Sequence, residues 1–160
     1  MLEREFTYKG YDGEMHTDTW LFNLTHADLL KLNMGSFGGL DDLMKRMIRE
    51  DRPKELVAMF EALILSAVGE TSPDGRRFIR TQEIRDEFYQ TEAYSQLFTE
   101  LVTNQEKLKA FVLAIIPDDV SAKILENEAM EARMDKELKA EENKIKSIAS
   151  ATPVVTAPKA

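Results

Sequence analysis

EREFTYKGYDGEMHTDTWLFNL, residues 3–24, decides the class of fold. Phe6 and Tyr8 fall on one face of the first run and Thr7 on the other. In the second run Trp20, Phe22 and Leu24 alternate in the same way. A period of two is the strand period, because successive side chains of an extended chain point to opposite faces. Asp12-Gly13 between the runs is a turn signal, so the stretch predicts a β-hairpin. A two-stranded hairpin is marginal alone in water. One face must therefore pack on helices or on a partner's sheet.

The period then changes to that of helices. Thr25 and Asp28 form a near capping box for a short helix that ends in MGSFGG, where Phe37 reads as an apolar plug among Gly35, Gly38 and Gly39. Leu40, Leu43, Met44, Met47 and Ile48 share one helical face. Asp51 and Pro53 restart the chain in a helix carrying Leu56, Met59, Phe60, Leu63 and Ile64, with Gly69 read as its end. SPDG, residues 72–75, is a turn, and RFIR after it is extended. Thr81 and Thr91 are expected caps of helices carrying Ile84 and Phe88, then Tyr94, Leu97, Phe98, Leu101 and Val102. Thr103 to Glu106 reads as a capping box for a helix with Leu108, Phe111, Val112, Ile115 and Ile116, closed by Pro117. The fold class expected is α+β, mainly α: an N-terminal hairpin over 3–24, then about five short amphipathic helices over 25–116. Residues 1–120 form the folded domain on this reading. Residues 121–148 are rich in Ala, Glu, Lys and Met and predict a charged, solvated helical extension. The end, 149–160, reads as a disordered tail.

The chain has 160 residues, is 43% hydrophobic and carries a formal net charge of −8. That acidic balance disfavours nucleic acid, whose phosphates it repels. No cysteine is present, which excludes a disulfide framework and thiolate chemistry. No apolar run approaches the ~18 residues of a spanning helix, so neither a membrane anchor nor a signal peptide is expected.

Signatures of catalysis are missing: there is no G-x-S-x-G, P-loop, G-x-G-x-x-G or H-E-x-x-H. His16 and His26 lie at a strand and at a helix start, where histidine is ordinary, and Asp41, Asp42, Asp118 and Asp119 suit helix N-termini better than a cation loop. No catalytic, metal or cofactor residue is assigned. Arg76, Arg77 and Arg80 sit among Asp74, Glu83, Asp86 and Glu87, which makes internal ion pairs the plain reading and docking on an acidic partner or a second copy the functional one. The aromatics Phe88, Tyr89, Tyr94 and Phe98 read mainly as core. Tyr89 and Tyr94 are the better contact candidates, because a tyrosine can bury its ring and keep its hydroxyl wet.

SPDGRRFIRTQEI, DEF and QTEAYSQLFTEL, with REFTYKGYDG and FNLTHADLL before them, resemble the tail assembly chaperones of long-tailed phages of Gram-positive hosts. The resemblance covers roughly residues 1–120. It implies a non-enzymatic holdase that binds the tape-measure protein, the long helical chain that sets tail length, and keeps it soluble. Multiple self-associating copies, a handover to the tail-tube protein, action in the host cytoplasm and absence from the mature virion follow from the same resemblance. A structural tail or adaptor protein retained in the virion is the rival reading. On the chaperone reading the contact regions are the hairpin (Phe6, Tyr8, Trp20, Phe22), the Gly-rich corner (Phe37), Tyr89 and Tyr94, with Arg76, Arg77 and Arg80 in polar docking. The residues read by themselves agree. A holdase needs apolar surface and solubility, and eight methionines beside a strong negative charge supply both.

Overall fold

The computed structural model describes residues 1–35 and 53–151. Phe37, Asp41, Asp42, Asp51 and the expected helix around 40–48 lie outside the described residues, as does the tail from 152 onward. The fold is α+β and mainly α, with the hairpin at its start.

Strand β1 (Leu2–Lys9) pairs antiparallel with β2 (Met15–Phe22), in the register Phe6↔Asp18 and Tyr8↔His16. Gly13 in the connecting turn has φ +88°, a conformation that costs glycine nothing and an L side chain strain. Two further strands complete a sheet in the order β1-β2-β3-β4. β3 (Val68–Thr71) meets β2 at Leu21↔Gly69 and Phe22↔Val68, and β4 (Phe78–Ile79) meets β3.

β3 corrects the sequence reading of Gly69 as a helix end. The preceding helix stops at Ala67, and Gly69 is a buried strand residue. A Cβ there would lie 2.5 Å from the Ile79 carbonyl oxygen, so close backbone approach, not helix termination, selects the glycine.

The helices begin where side chains satisfy their free N–H groups. Ahead of α1 (His26–Gly35), the Thr25 N–H donates to Asp28 Oδ2 at 2.8 Å and the Asp28 N–H to Thr25 Oγ1 at 3.3 Å, the reciprocal pair expected. α2 (Pro53–Ala67) starts on its proline, whose missing N–H is no loss there. Thr81 caps α3 (Gln82–Tyr89) and Thr91 caps α4 (Glu92–Thr103). For α5 (Gln105–Ile115) the cap is Asn104, whose Oδ1 accepts from the Lys107 N–H at 3.0 Å. Thr103, the expected cap, is the last residue of α4 and turns its hydroxyl back to the Thr99 carbonyl at 2.7 Å. α6 runs from Asp118 to Ser150.

The chain divides into two compact units, Met1–Ser121 and Ala122–Ala160. In the first, Phe22, Leu24, Leu63, Ile64, Phe88, Leu97, Leu101 and Ile115 are fully buried between the sheet and the helices. Each such side chain is worth ~1.5–3 kcal/mol of transfer free energy. The second unit contains α6 from Ala122 to its end.

Candidate partner-binding surface

The alternating hairpin residues point inward. Phe6, Tyr8 and Trp20 are buried and Phe22 is sealed from solvent. Phe6, Trp20 and Phe22 meet Phe88 of α3, whose ring centroid lies 6.5 Å, 4.9 Å and 5.5 Å from theirs, while Tyr8 packs beside His16 of β2. Tyr8 donates its hydroxyl to Asp18, and that bond together with burial pushes its pKa up to about 12. The opposite face of the hairpin carries Glu3, Glu5, Thr7, Thr17 and Thr19, all exposed. The four residues singled out for contact in the hairpin therefore lie in the core of the first unit. Period two announced a buried face, and the helices cover it.

Tyr94 bridges that core to the surface. It meets Phe88 edge-on at 5.7 Å, Tyr89 at 4.8 Å and Phe98 at 5.7 Å. Burial, and then the negative charge of Glu61, push the Tyr94 phenol up to about 12. Tyr89 keeps 49% of its surface exposed and borders a groove of about 350 Å³ with Ala62, Leu65 and Arg85, between α2 and α3.

The three arginines part company. Ser72 and Asp74 knit the 72–77 turn: the Arg77 N–H donates to Ser72 Oγ at 3.0 Å and the Arg76 N–H to Asp74 Oδ1 at 3.2 Å. That leaves Arg76 and Arg77 exposed, with no ion pair to another described residue. Arg80 is taken internally, by Asp28 at 2.7 Å and by the Ser66 carbonyl at 3.2 Å. The plain reading of the arginine cluster thus holds for one residue in three. Of the histidines, His16 bonds Asp12 and His26 bonds Asp119, both at the surface.

Among the described residues, the extension expected to be a charged, solvated helix also carries exposed apolar side chains. On α6, Met130, Met134, Leu138, Ile145 and Ile148 are 57–71% exposed. Single exposed apolar residues are normal, but these five share one side of the helix, with a gap at Glu141 and Glu142. A helical row of Met, Leu and Ile can accept another amphipathic helix, and it holds no group that could perform acid–base or nucleophilic chemistry. No helix among the described residues is long and apolar enough to cross a membrane.

The chain belongs to a known family: the family model described as phage tail assembly chaperone matches residues 1–157. No curated protein and no solved structure matches it.

Proposed function

We propose that this phage tail assembly chaperone binds the tape-measure protein during tail morphogenesis and keeps it soluble, as multiple self-associating copies along that chain. The single observation that supports the reading most is the exposed Met–Leu–Ile row of α6. A long helical client offers many equivalent apolar stripes, and many weak contacts along one chain add up to avidity without one tight site. The acidic surplus keeps such an assembly dispersed by like-charge repulsion. Tyr89 and Tyr94 are further contacts on the first unit, with Arg76 and Arg77 in polar docking, and Phe37 at the Gly-rich corner is retained as another. Phe6, Tyr8, Trp20 and Phe22 support binding by shaping the surface above them, and Arg80 by positioning α1. The role is non-enzymatic and is exercised in the host cytoplasm, with the tail-tube protein as the next partner in line.

Co-expression with the tape-measure protein of the same phage is the test. Solubilisation and co-purification of that client are expected, and a client equally soluble without the chain refutes the reading. Mass spectrometry of purified particles separates the chaperone, absent from them, from a structural tail or adaptor protein present at fixed copy number.

A further inference from the structure

On the half of α6 that carries the apolar row, acidic side chains outnumber basic ones. At ~100° per residue, Met130, Met134, Leu138, Ile145 and Ile148 fall within an arc of ~80°. Along that span Glu131, Glu137, Glu141 and Glu142 occupy the same half of the helix, with Lys144 as the basic exception. Lys136, Lys139 and Lys146 fall on the other half, and Arg133 and Asp135 on the two borders. Lys146 reaches across one border to Glu142 at 3.0 Å. The helix is therefore amphipathic twice over, apolar and acidic on one side and basic on the other. Propensity does not require this, because Lys and Glu are nearly equal helix formers and are interchangeable on a solvated face.

Pairing two copies of this face in parallel, or antiparallel about its middle, brings glutamates together. In a parallel pair Glu141 faces Glu141 of its partner, and an antiparallel pair centred on residue 139, which sets Met130 against Ile148, brings Glu137 opposite Glu141. Like charges at such a seam select against self-pairing, as they do in coiled coils. From this charge pattern, and resting on the client-holding reading above, we propose that α6 docks a client helix whose own apolar stripe is bordered by Lys and Arg. The glutamates supply partner choice and a fast encounter, and the Met–Leu–Ile row supplies the contact. Three methionine or leucine side chains in succession at four-residue spacing, Met130, Met134 and Leu138, adapt to clients of varied shape.

The test uses the full chain and two synthetic helical peptides with one and the same Leu/Met/Ile stripe. One is bordered by Lys and Arg, the other by Glu. Fluorescence anisotropy at about 50 mM NaCl is expected to favour the basic peptide by roughly tenfold or more, and at about 500 mM the advantage should shrink severalfold, because the glutamates are solvent-exposed and screened. The variant combining Glu131→Lys, Glu137→Lys and Glu141→Lys should reverse the preference while keeping the helical circular dichroism of the parent. Equal affinities at low salt, binding of neither peptide, or a preference for the acidic peptide overturns the proposal. So does a concentration-dependent dimer of the wild-type chain that Leu138→Asp abolishes, since a second copy would then be the occupant. The peptides decide the charge selection and the co-expression assay decides the client-holding role, so the two can fail separately.

Discussion

Arg80 Nη1 donates to Asp28 Oδ2 at 2.7 Å across 52 positions of sequence. The same nitrogen donates to the Ser66 carbonyl at 3.2 Å, and Asp28 also accepts from the Thr25 N–H and hydroxyl. One guanidinium thus fastens the capping box of α1 to the end of α2, just beyond β4. Both side chains are about four-fifths buried, so neither partner is left to water.

Arg80→Ala should destabilise the first unit by about 1–3 kcal/mol, because it strands a largely buried carboxylate. Arg76→Ala and Arg77→Ala, on an exposed turn, should change stability by less than about 0.5 kcal/mol. Urea denaturation of the three variants checks the contrast, and equal effects would mean that the pair contributes nothing particular.

Acid should weaken the fold through two carboxylates. Burial would raise the Asp28 pKa, but the hydrogen bonds from Arg80 and Thr25 outweigh it and hold the carboxyl below its usual value. Glu100 is held low by Lys107, 2.6 Å away, and by Arg4. Folded values below the unfolded ones of ~3.9 and ~4.3 mean that the unfolded chain binds more protons. This stabilisation is complete above those unfolded values and is lost as pH falls through the folded ones. A variant combining Asp28→Asn and Glu100→Gln should be less stable than the parent at pH 7, with the gap closing as pH drops below about 4. Denaturation midpoints across that range measure it.

Alkali should act in the opposite sense through Tyr8 and Tyr94, whose phenols are pushed up to about 12 by the Asp18 hydrogen bond and by burial respectively. The neutral phenol is favoured in the fold. The contribution is therefore full below the unfolded value of ~10 and is lost as pH climbs toward 12. Following phenolate absorbance, Tyr8→Phe and Tyr94→Phe should each remove an ionisation near pH 12. Loss of a step near pH 10 instead would refute the assigned environments.

Core and client surface should separate cleanly by mutation. Phe88→Ala, at a fully buried ring touching Phe6, Trp20, Phe22 and Tyr94, should cost about 3–5 kcal/mol. Leu138→Asp, at an exposed position, should leave the stability of the first unit within about 0.5 kcal/mol while lowering the yield of soluble client. Thermal melts and co-expression yields, read side by side, make the comparison.

Hydrogen exchange should grade the two units. Amides of α4, which carries the buried Ala93, Leu97 and Leu101, are expected to be protected well beyond those of α6 from Met130 onward, where every residue to Ser150 is exposed. Addition of a bound client helix should raise protection in α6 first. Full protection of α6 in a free monomer would contradict this.

Much of the architecture was written in local chemistry. Thr81 and Thr91 cap the helices they were expected to cap, Pro53 and Pro117 mark a start and a stop, and the hairpin turn sits on Asp12-Gly13. Two readings failed for reasons of range. Gly69 looked like a helix end because glycine often is one, yet its role depends on Ile79, ten residues on. Thr103 and Asn104 are both good caps, and only the path of the chain from α4 to α5 picks the second.

The candidate surface divides in the same way. By itself the sequence determined which residues alternate, where helices begin, that cysteine chemistry is absent and that the chain is acidic, because each of these depends on composition or on a few neighbouring residues. Tertiary structure decided that Phe6, Trp20 and Phe22 turn toward Phe88, that Tyr8 is buried beside them, and that Arg80 is used up by Asp28 while Arg76 and Arg77 stay exposed. A strand period says that two faces differ but not what covers either. Which apolar row is buried and which is left for a partner is settled only when distant segments pack, since burial is a property of the neighbours and not of the residue.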